Sequence, residues 1–211
     1  MRLHPDGWPF IVLAVALNTL LFALTGWYGL LLLPVTLWCV AFFRDPDRSV
    51  PDGDGLIVSP ADGVLLPVVQ ASPPEELGMG PAPRRRLSIF MNVFDVHVNR
   101  IPADATVAKL CYRPGRFVNA SFDKASEHNE RMSIRLKLHD GRELAVVQIA
   151  GLVARRIRCD LREGEIVRRG ARFGMIRFGS RLDVYLPDGA EIAVQKGARV
   201  KAGETVLARV A

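Results

Sequence analysis

The chain has 211 residues, enough for one ordinary domain and a modest appendage. It carries 28 Lys and Arg against 22 Asp and Glu, a formal charge of +6. Its three cysteines, Cys39, Cys111 and Cys159, are odd in number and widely spaced, with one in the apolar N-terminal run, so neither a disulfide framework nor a zinc site is indicated and a reducing interior is the natural inference.

From Trp8 to Phe43 no residue is charged, and nearly every side chain is apolar. A bilayer-spanning helix needs about 20 residues, so this run is long for one span and slightly short for two. Gly26-Trp27-Tyr28-Gly29 lies in its middle, where glycines and interfacial aromatics suit a turn at headgroup level. The expectation is a membrane-anchoring helical hairpin over residues 1–43, with one tilted helix and an interfacial tail as the alternative. A cleaved signal peptide does not fit, because the apolar run is too long.

Residues 44–55 are polar and rich in Pro and Gly, and read as a linker to a domain over 56–211. In GLIVSPADGVLLPVVQ two β-branched runs flank Pro60-Ala61-Asp62-Gly63, and Asp-Gly is a favoured hairpin dipeptide. Residues 71–86 lack periodicity and read as a surface loop. Next, LSIFMNVFDVHVNRIP predicts a strand whose alternation sets Val93, Asp95, His97 and Asn99 on one face and Phe94, Val96 and Val98 on the other. Three polar groups sharing a strand face are either solvated or a site.

Short strand-like runs continue to the C-terminus with turn signals every 8 to 12 residues or so, which predicts a mainly β, barrel-like or sandwich domain. GEIVRRGARFGMI and GARVKAGETVLARV share glycine-punctuated spacing, as do the halves of swapped-hairpin, lipoyl-carrier-like folds. FDKAS, with Lys124, echoes the modified lysine of lipoyl domains, but the glycine-spaced hairpin that should precede it is missing. Between Arg155 and Arg181 stand nine arginines against Asp160, Glu163 and Glu165, which accounts for the whole charge excess. Beside a membrane anchor this suits an anionic lipid surface. No recognition helix or base-stacking ladder points to nucleic acid.

Gly179-Ser180 is by itself an ordinary turn pair, and Asp62 before Gly63 an ordinary turn former. Taken with their order and spacing, however, SPADG, FDVHVNRIP, FDKASEHNER and the late FGS resemble the phosphatidylserine decarboxylase proenzymes, in particular their short branch. The resemblance covers nearly the whole chain. It implies self-cleavage between Gly179 and Ser180 into chains 1–179 and 180–211 that stay associated. It further implies that Ser180 becomes a covalent pyruvoyl cofactor, on which phosphatidylserine is decarboxylated to phosphatidylethanolamine and CO2 through a Schiff base, with no metal required. His97 and Asp62 match the family's functional histidine and aspartate, as a base or orienter pair for Ser180. Larger members have a second histidine where this chain has Arg100, which leaves open which group drives cleavage. Arg100 offers a fork for phosphate or carboxylate, with Asn99 beside it as a second substrate contact. The implied location is the cell membrane with the catalytic domain facing the cytoplasm, and a higher oligomer is left open. Two rivals remain: a pyruvoyl decarboxylase of another amino-bearing substrate, and a non-enzymatic, membrane-tethered carrier-like β module.

Overall fold

The computed structural model describes residues 2–115, 129–151, 156–177 and 180–210. The chain divides into two compact units, Met1–Asp47 and Arg48–Ala211.

In the first unit the charge-free run forms α1 (Trp8–Thr25), a 3-10 turn over Gly26–Leu32 and α2 (Leu33–Phe42). The helices double back on each other. His4 N–H donates to Phe43 O and Asp45 N–H to Arg2 O, both at 2.8 Å, and Phe10 stacks on Phe43 with ring centroids 5.4 Å apart. Thr36 Oγ1 donates to Leu32 O at 3.2 Å and reaches Ala14 O of α1 at 3.5 Å. Apolar side chains face outward, with Leu24 74% and Trp27 81% exposed. The segment Pro5–Phe42 is long and apolar enough to cross a membrane, by length and composition.

The second unit is built from antiparallel sheets, as β-branched, turn-punctuated runs dictate. Its strands are β1 (Leu56–Val58), β2 (Gly63–Leu65), β3 (Val69–Ala71), β4 (Arg84–Met91), β5 (Val98–Arg100), β6 (Ala105–Arg113), β7 (Arg131–Leu138) and β8 (Glu143–Ala150). They continue as β9 (Ile157–Cys159), β10 (Ile166–Val167), β11 (Arg172–Ile176), β12 (Ser180–Tyr185), β13 (Glu191–Ile192), β14 (Arg199–Val200) and β15 (Val206–Arg209). The large sheet runs β10-β6-β7-β8-β12-β4-β2-β14, with β3 also on β4; two small sheets run β1-β15-β13 and β5-β11-β9. The sheets stay open, and no closed barrel forms among the described residues. The main core includes Leu87, Ile89, Ile134, Leu136, Val146, Leu182, Val184 and Leu207, and a second cluster, with Ala145, Val147, Ile149 and Tyr185, is capped by Leu77.

The glycine-spaced repeat is realised as two interlocked halves. Val58 N–H donates to Pro102 O and Arg100 N–H to Pro60 O, both at 2.8 Å. In one half Gly203 N–H meets Ser59 O at 2.7 Å and in the other Gly170 N–H meets Ile101 O at 2.8 Å. Both glycines adopt left-handed φ, 76° and 78°, which other residues rarely do. β15 then pairs with β1, and β11 with β5. This is the swapped-hairpin arrangement.

Three local readings change. Asp62-Gly63 does not close a hairpin: β1 pairs with β15, while β2 pairs with β4 and β14. The Asp62 carboxylate is already engaged by Ala202 N–H at 2.8 Å, which holds the chain in a crossover between sheets. Residues 71–86 are partly ordered, with Leu77 buried in a 3-10 turn (Glu75–Leu77) and the arginines 84–86 inside β4. The strand expected through Val93 to Asn99 is broken at Asn92–Asp95. There Asn92 Oδ1 accepts Phe94 N–H at 2.8 Å and Asp95 Oδ2 accepts Asn92 N–H at 2.9 Å, so short polar side chains replace ladder partners.

Candidate active site

Ser180 is the first residue of β12, a central strand of the large sheet, and lies beside Met91 of β4 and Ala150 of β8. Alternation sends Ser180, Leu182 and Val184 to the main core and Arg181, Asp183 and Tyr185 to the opposite face. All six are buried. Ser180 Oγ makes its one hydrogen bond among the described residues to Met91 Sδ, at 3.8 Å. A thioether is a weak acceptor, so among the described residues the buried hydroxyl is not tied to a strong partner. Asn129 Nδ2 braces the neighbouring strand by donating to Ala150 O at 2.7 Å. That places the end of FDKASEHNER beside the serine's own strand partner, while residues 122–128, Lys124 among them, lie outside the described residues, as do Gly179 and Arg155.

His97 and Asn99 arrive from the segment after the Asx turn, and both are fully buried. His97 Nδ1 lies 3.0 Å from Asp95 O. A carbonyl only accepts, so this contact puts the proton on Nδ1 and leaves Nε2 as the basic nitrogen. Asp95 is itself held by Arg199 at 2.5 Å. Asn99 Nδ2 also approaches Met91 Sδ at 3.8 Å, so Asn99 and Ser180 share one sulfur atom as neighbour.

Gln148 was not singled out from the sequence. It lies on β8 across from Leu182, two residues from the partner of Ser180 and on the same face. Its Nε2 donates to Asn99 Oδ1 at 2.9 Å and to Arg158 O at 3.4 Å. The close passage of β9 that supplies Arg158 O requires Gly174 on β11, where a Cβ would sit 2.1 Å from that oxygen. The available signal was a lone glutamine in the otherwise apolar run LAVVQIA.

Asp62 and Arg100 are placed differently. The Asp62 carboxylate receives Arg48 Nη2 at 2.9 and 2.7 Å as well as Ala202 N–H. Asp104, in the matching Pro-Ala-Asp of the other half, accepts Arg169 N–H at 2.9 Å. The shared contact identifies a turn-holding role for both aspartates, to which Asp62 adds the ion pair with Arg48. Arg100 is buried and donates Nη1 to Gly170 O at 2.9 Å, in the wall between the two glycine turns. This hydrogen bond ties Arg100 to the fold.

On the opposite face of β12, Arg181 grips Asp183 with Nε at 2.6 Å and Nη2 at 2.8 Å, both side chains being buried. Arg86 Nε adds a second guanidinium 3.7 Å from Asp183. Arg181 therefore belongs to the interior, whereas the sequence had grouped it with an anion-facing surface. A cavity of about 460 Å³ opens on this side, lined by Glu76, Arg86, Arg113, Arg131, Val147 and Tyr185. It lies on the far side of the sheet from Ser180 Oγ and is not where the serine chemistry would occur. Burial pushes the Glu76 carboxyl up, but hydrogen bonds from Arg131 and Ser133 outweigh this and hold it below its ordinary value. Burial, and then the Asp183 charge, push the Tyr185 phenol up.

Comparison with known proteins is consistent across the chain. Residues 35–208 match a family model described as phosphatidylserine decarboxylase. A phosphatidylserine decarboxylase proenzyme of Paramagnetospirillum magneticum is 59% identical over 98% of this chain and 86% of its own length. The proenzymes of Cereibacter sphaeroides and Rickettsia akari are 56% and 48% identical, each over 98% of this chain and 89% of the relative.

Proposed function

Because the chain belongs to the phosphatidylserine decarboxylase family, we propose that it is a self-processing, pyruvoyl-dependent decarboxylase that converts phosphatidylserine to phosphatidylethanolamine and CO2 at the membrane. The observation that carries this reading is the address of Ser180. A cut before it would release a chain whose β12 stays inserted between β4 and β8, whose β14 pairs with β2 and whose β15 pairs with β1. Scission at that bond leaves these ladders between the short and the long chain intact and puts the new terminus inside a formed core.

In self-processing, Ser180 Oγ attacks the Gly179 carbonyl carbon, and the acyl group moves from nitrogen to oxygen. Loss of the Ser180 α-proton then breaks the Cβ–O bond, which frees the Gly179 carboxylate. Hydrolysis of the resulting dehydroalanine releases ammonia and leaves an α-keto terminus. His97 Nε2 is the base in this scheme, oriented through Nδ1 by Asp95 O, and Asp62 acts by fixing the adjoining turn.

The residues present fit such a group, since an α-keto acyl unit is no larger than the seryl residue that it replaces beside Met91 and Ala150. When formed, it supplies the electron sink for decarboxylation that no side chain offers. The helical hairpin serves as the membrane anchor, α1 being about 27 Å long at ~1.5 Å per residue against a hydrocarbon core of about 30 Å. The three thiols are free, as suits a cytoplasmic catalytic unit.

Mass spectrometry of the purified protein tests the reading. A fragment beginning at position 180 with a blocked, ketone-bearing terminus is expected; an intact chain that still decarboxylates its lipid would overturn the proposal.

A further inference from the structure

Gln148 is fully buried, and its Oε1 meets no hydrogen-bond donor among the described residues. Buried acceptors are satisfied in the great majority of cases, so an exception calls for a physical explanation. The orientation of this amide is set. Its Nε2 faces two acceptors, Asn99 Oδ1 at 2.9 Å and Arg158 O at 3.4 Å, so the reversed amide would put oxygen against oxygen. Oε1 is therefore turned away from both.

The strand register tells where it is. Ser180 pairs with Ala150 and Leu182 with Gln148, which makes Gln148 the diagonal neighbour of Ser180 on the same face. Diagonal neighbours lie roughly 7–8 Å apart, a gap that a glutamine side chain largely spans.

Resting on the decarboxylase reading, we propose that Gln148 Oε1 accepts a hydrogen bond from the amino group of the substrate headgroup and steers that nitrogen toward residue 180, with Asn99 fixing the amide. A neutral acceptor suits the task. The amine must lose its proton to attack a carbonyl carbon, and a carboxylate at this position would favour the charged, non-nucleophilic ammonium. An amide oxygen orients the N–H while leaving the nitrogen lone pair available. It also gives specificity for an amino-bearing headgroup, because a ligand lacking the amine would leave the buried acceptor unmet.

The test crosses protein variant with ligand. Wild-type protein and the Gln148→Leu and Gln148→Met variants are first run on a denaturing gel to establish cleavage. The cut proteins are then treated with borohydride, which reduces the keto group to a hydroxyl and stops turnover. Glycerophosphoserine and its analogue with hydrogen in place of the amino group are titrated into each by calorimetry. Wild type should prefer the amine by about tenfold or more, the worth of a hydrogen bond involving a charged or strongly polar group. In both variants the two ligands should bind alike. Equal weakening of both ligands, a preference that survives either substitution, or variants that remain uncut while wild type cuts would overturn the assignment of Gln148 alone. An uncut wild type would overturn the decarboxylase reading and the assignment with it.

Discussion

The two faces of β12 differ in how their polar groups are satisfied. Toward the main core, Ser180 has a thioether at 3.8 Å and Gln148 has an acceptor with no donor among the described residues. Toward the other face, Arg181 and Asp183 are joined at 2.6 and 2.8 Å with Arg86 nearby. A strand of period two can hold these opposite regimes one residue apart. The charged face fixes the strand, and the sparsely bonded face is left available for chemistry. If this division is correct, substitutions on the two faces should separate maturation from stability.

The sharpest separation is at the serine. Ser180→Ala is expected to abolish cleavage completely, giving one band on a denaturing gel where wild type gives two. The variant should still fold, with a single cooperative transition in urea, because among the described residues the lost hydroxyl meets only the Met91 thioether. A variant that still yields two bands would remove Ser180 from the chemistry.

Next in size is Asp183→Ala. It strips the carboxylate from two buried guanidiniums, and removing one partner of a buried pair typically destabilises by about 3–5 kcal/mol. Urea denaturation of this variant in the Ser180→Ala background would measure the loss without interference from cleavage. A change under about 1 kcal/mol would mean that the charged face does not hold the strand.

Much of this arrangement was legible in the sequence, and the parts that were not have physical reasons. The charge-free run and its central glycines announced the helical pair, and turn-punctuated β-branched runs announced the sheets. Motif order made Ser180, and the spacing from Asp95 made His97, the residues to expect at the site, and the structure buries both. The broken strand at Asn92–Asp95 was hidden because alternation counts apolar residues and overlooks Asn and Asp side chains that capture backbone N–H groups. Gln148 was silent because one amide in an apolar strand reads as a tolerated exception until the register sets it diagonal to Ser180. The Arg181–Asp183 pair was lost in a run of arginines that looked solvated, since sequence spacing does not say which face of a strand is covered.

The matching halves offer a finer comparison. Asp62 and Asp104 each accept a backbone N–H beside a glycine turn, at 2.8 and 2.9 Å, but among the described residues Asp62 alone of the two adds an ion pair, with Arg48 at 2.7 Å. Asn at either position keeps an acceptor oxygen, so each substitution should destabilise by no more than ~1.5–3 kcal/mol, the range for hydrogen bonds to charged groups. Self-cleavage should distinguish them. Asp62→Asn is expected to slow the appearance of the short chain at least tenfold on a gel time course, an effect of about 1.4 kcal/mol on the barrier, while Asp104→Asn leaves the rate unchanged. Equal rates would confine Asp62 to the fold.

The smallest effect belongs to Glu76, over the charged face. Arg131 donates to both of its oxygens at 2.9 Å and Ser133 to one at 3.0 Å. Its pKa is lowered from the usual 4.5 on folding, so the folded state binds the proton less readily than the unfolded chain. The stabilisation is therefore fully present above about pH 4.5 and fades as the pH falls through the lower folded value. Glu76→Gln, which cannot ionise, should flatten that acid limb in the Ser180→Ala background while shifting the neutral-pH midpoint only slightly. If the midpoint of both proteins fell with identical slope below pH 4.5, the Arg131 and Ser133 bonds would have no part in the pH response.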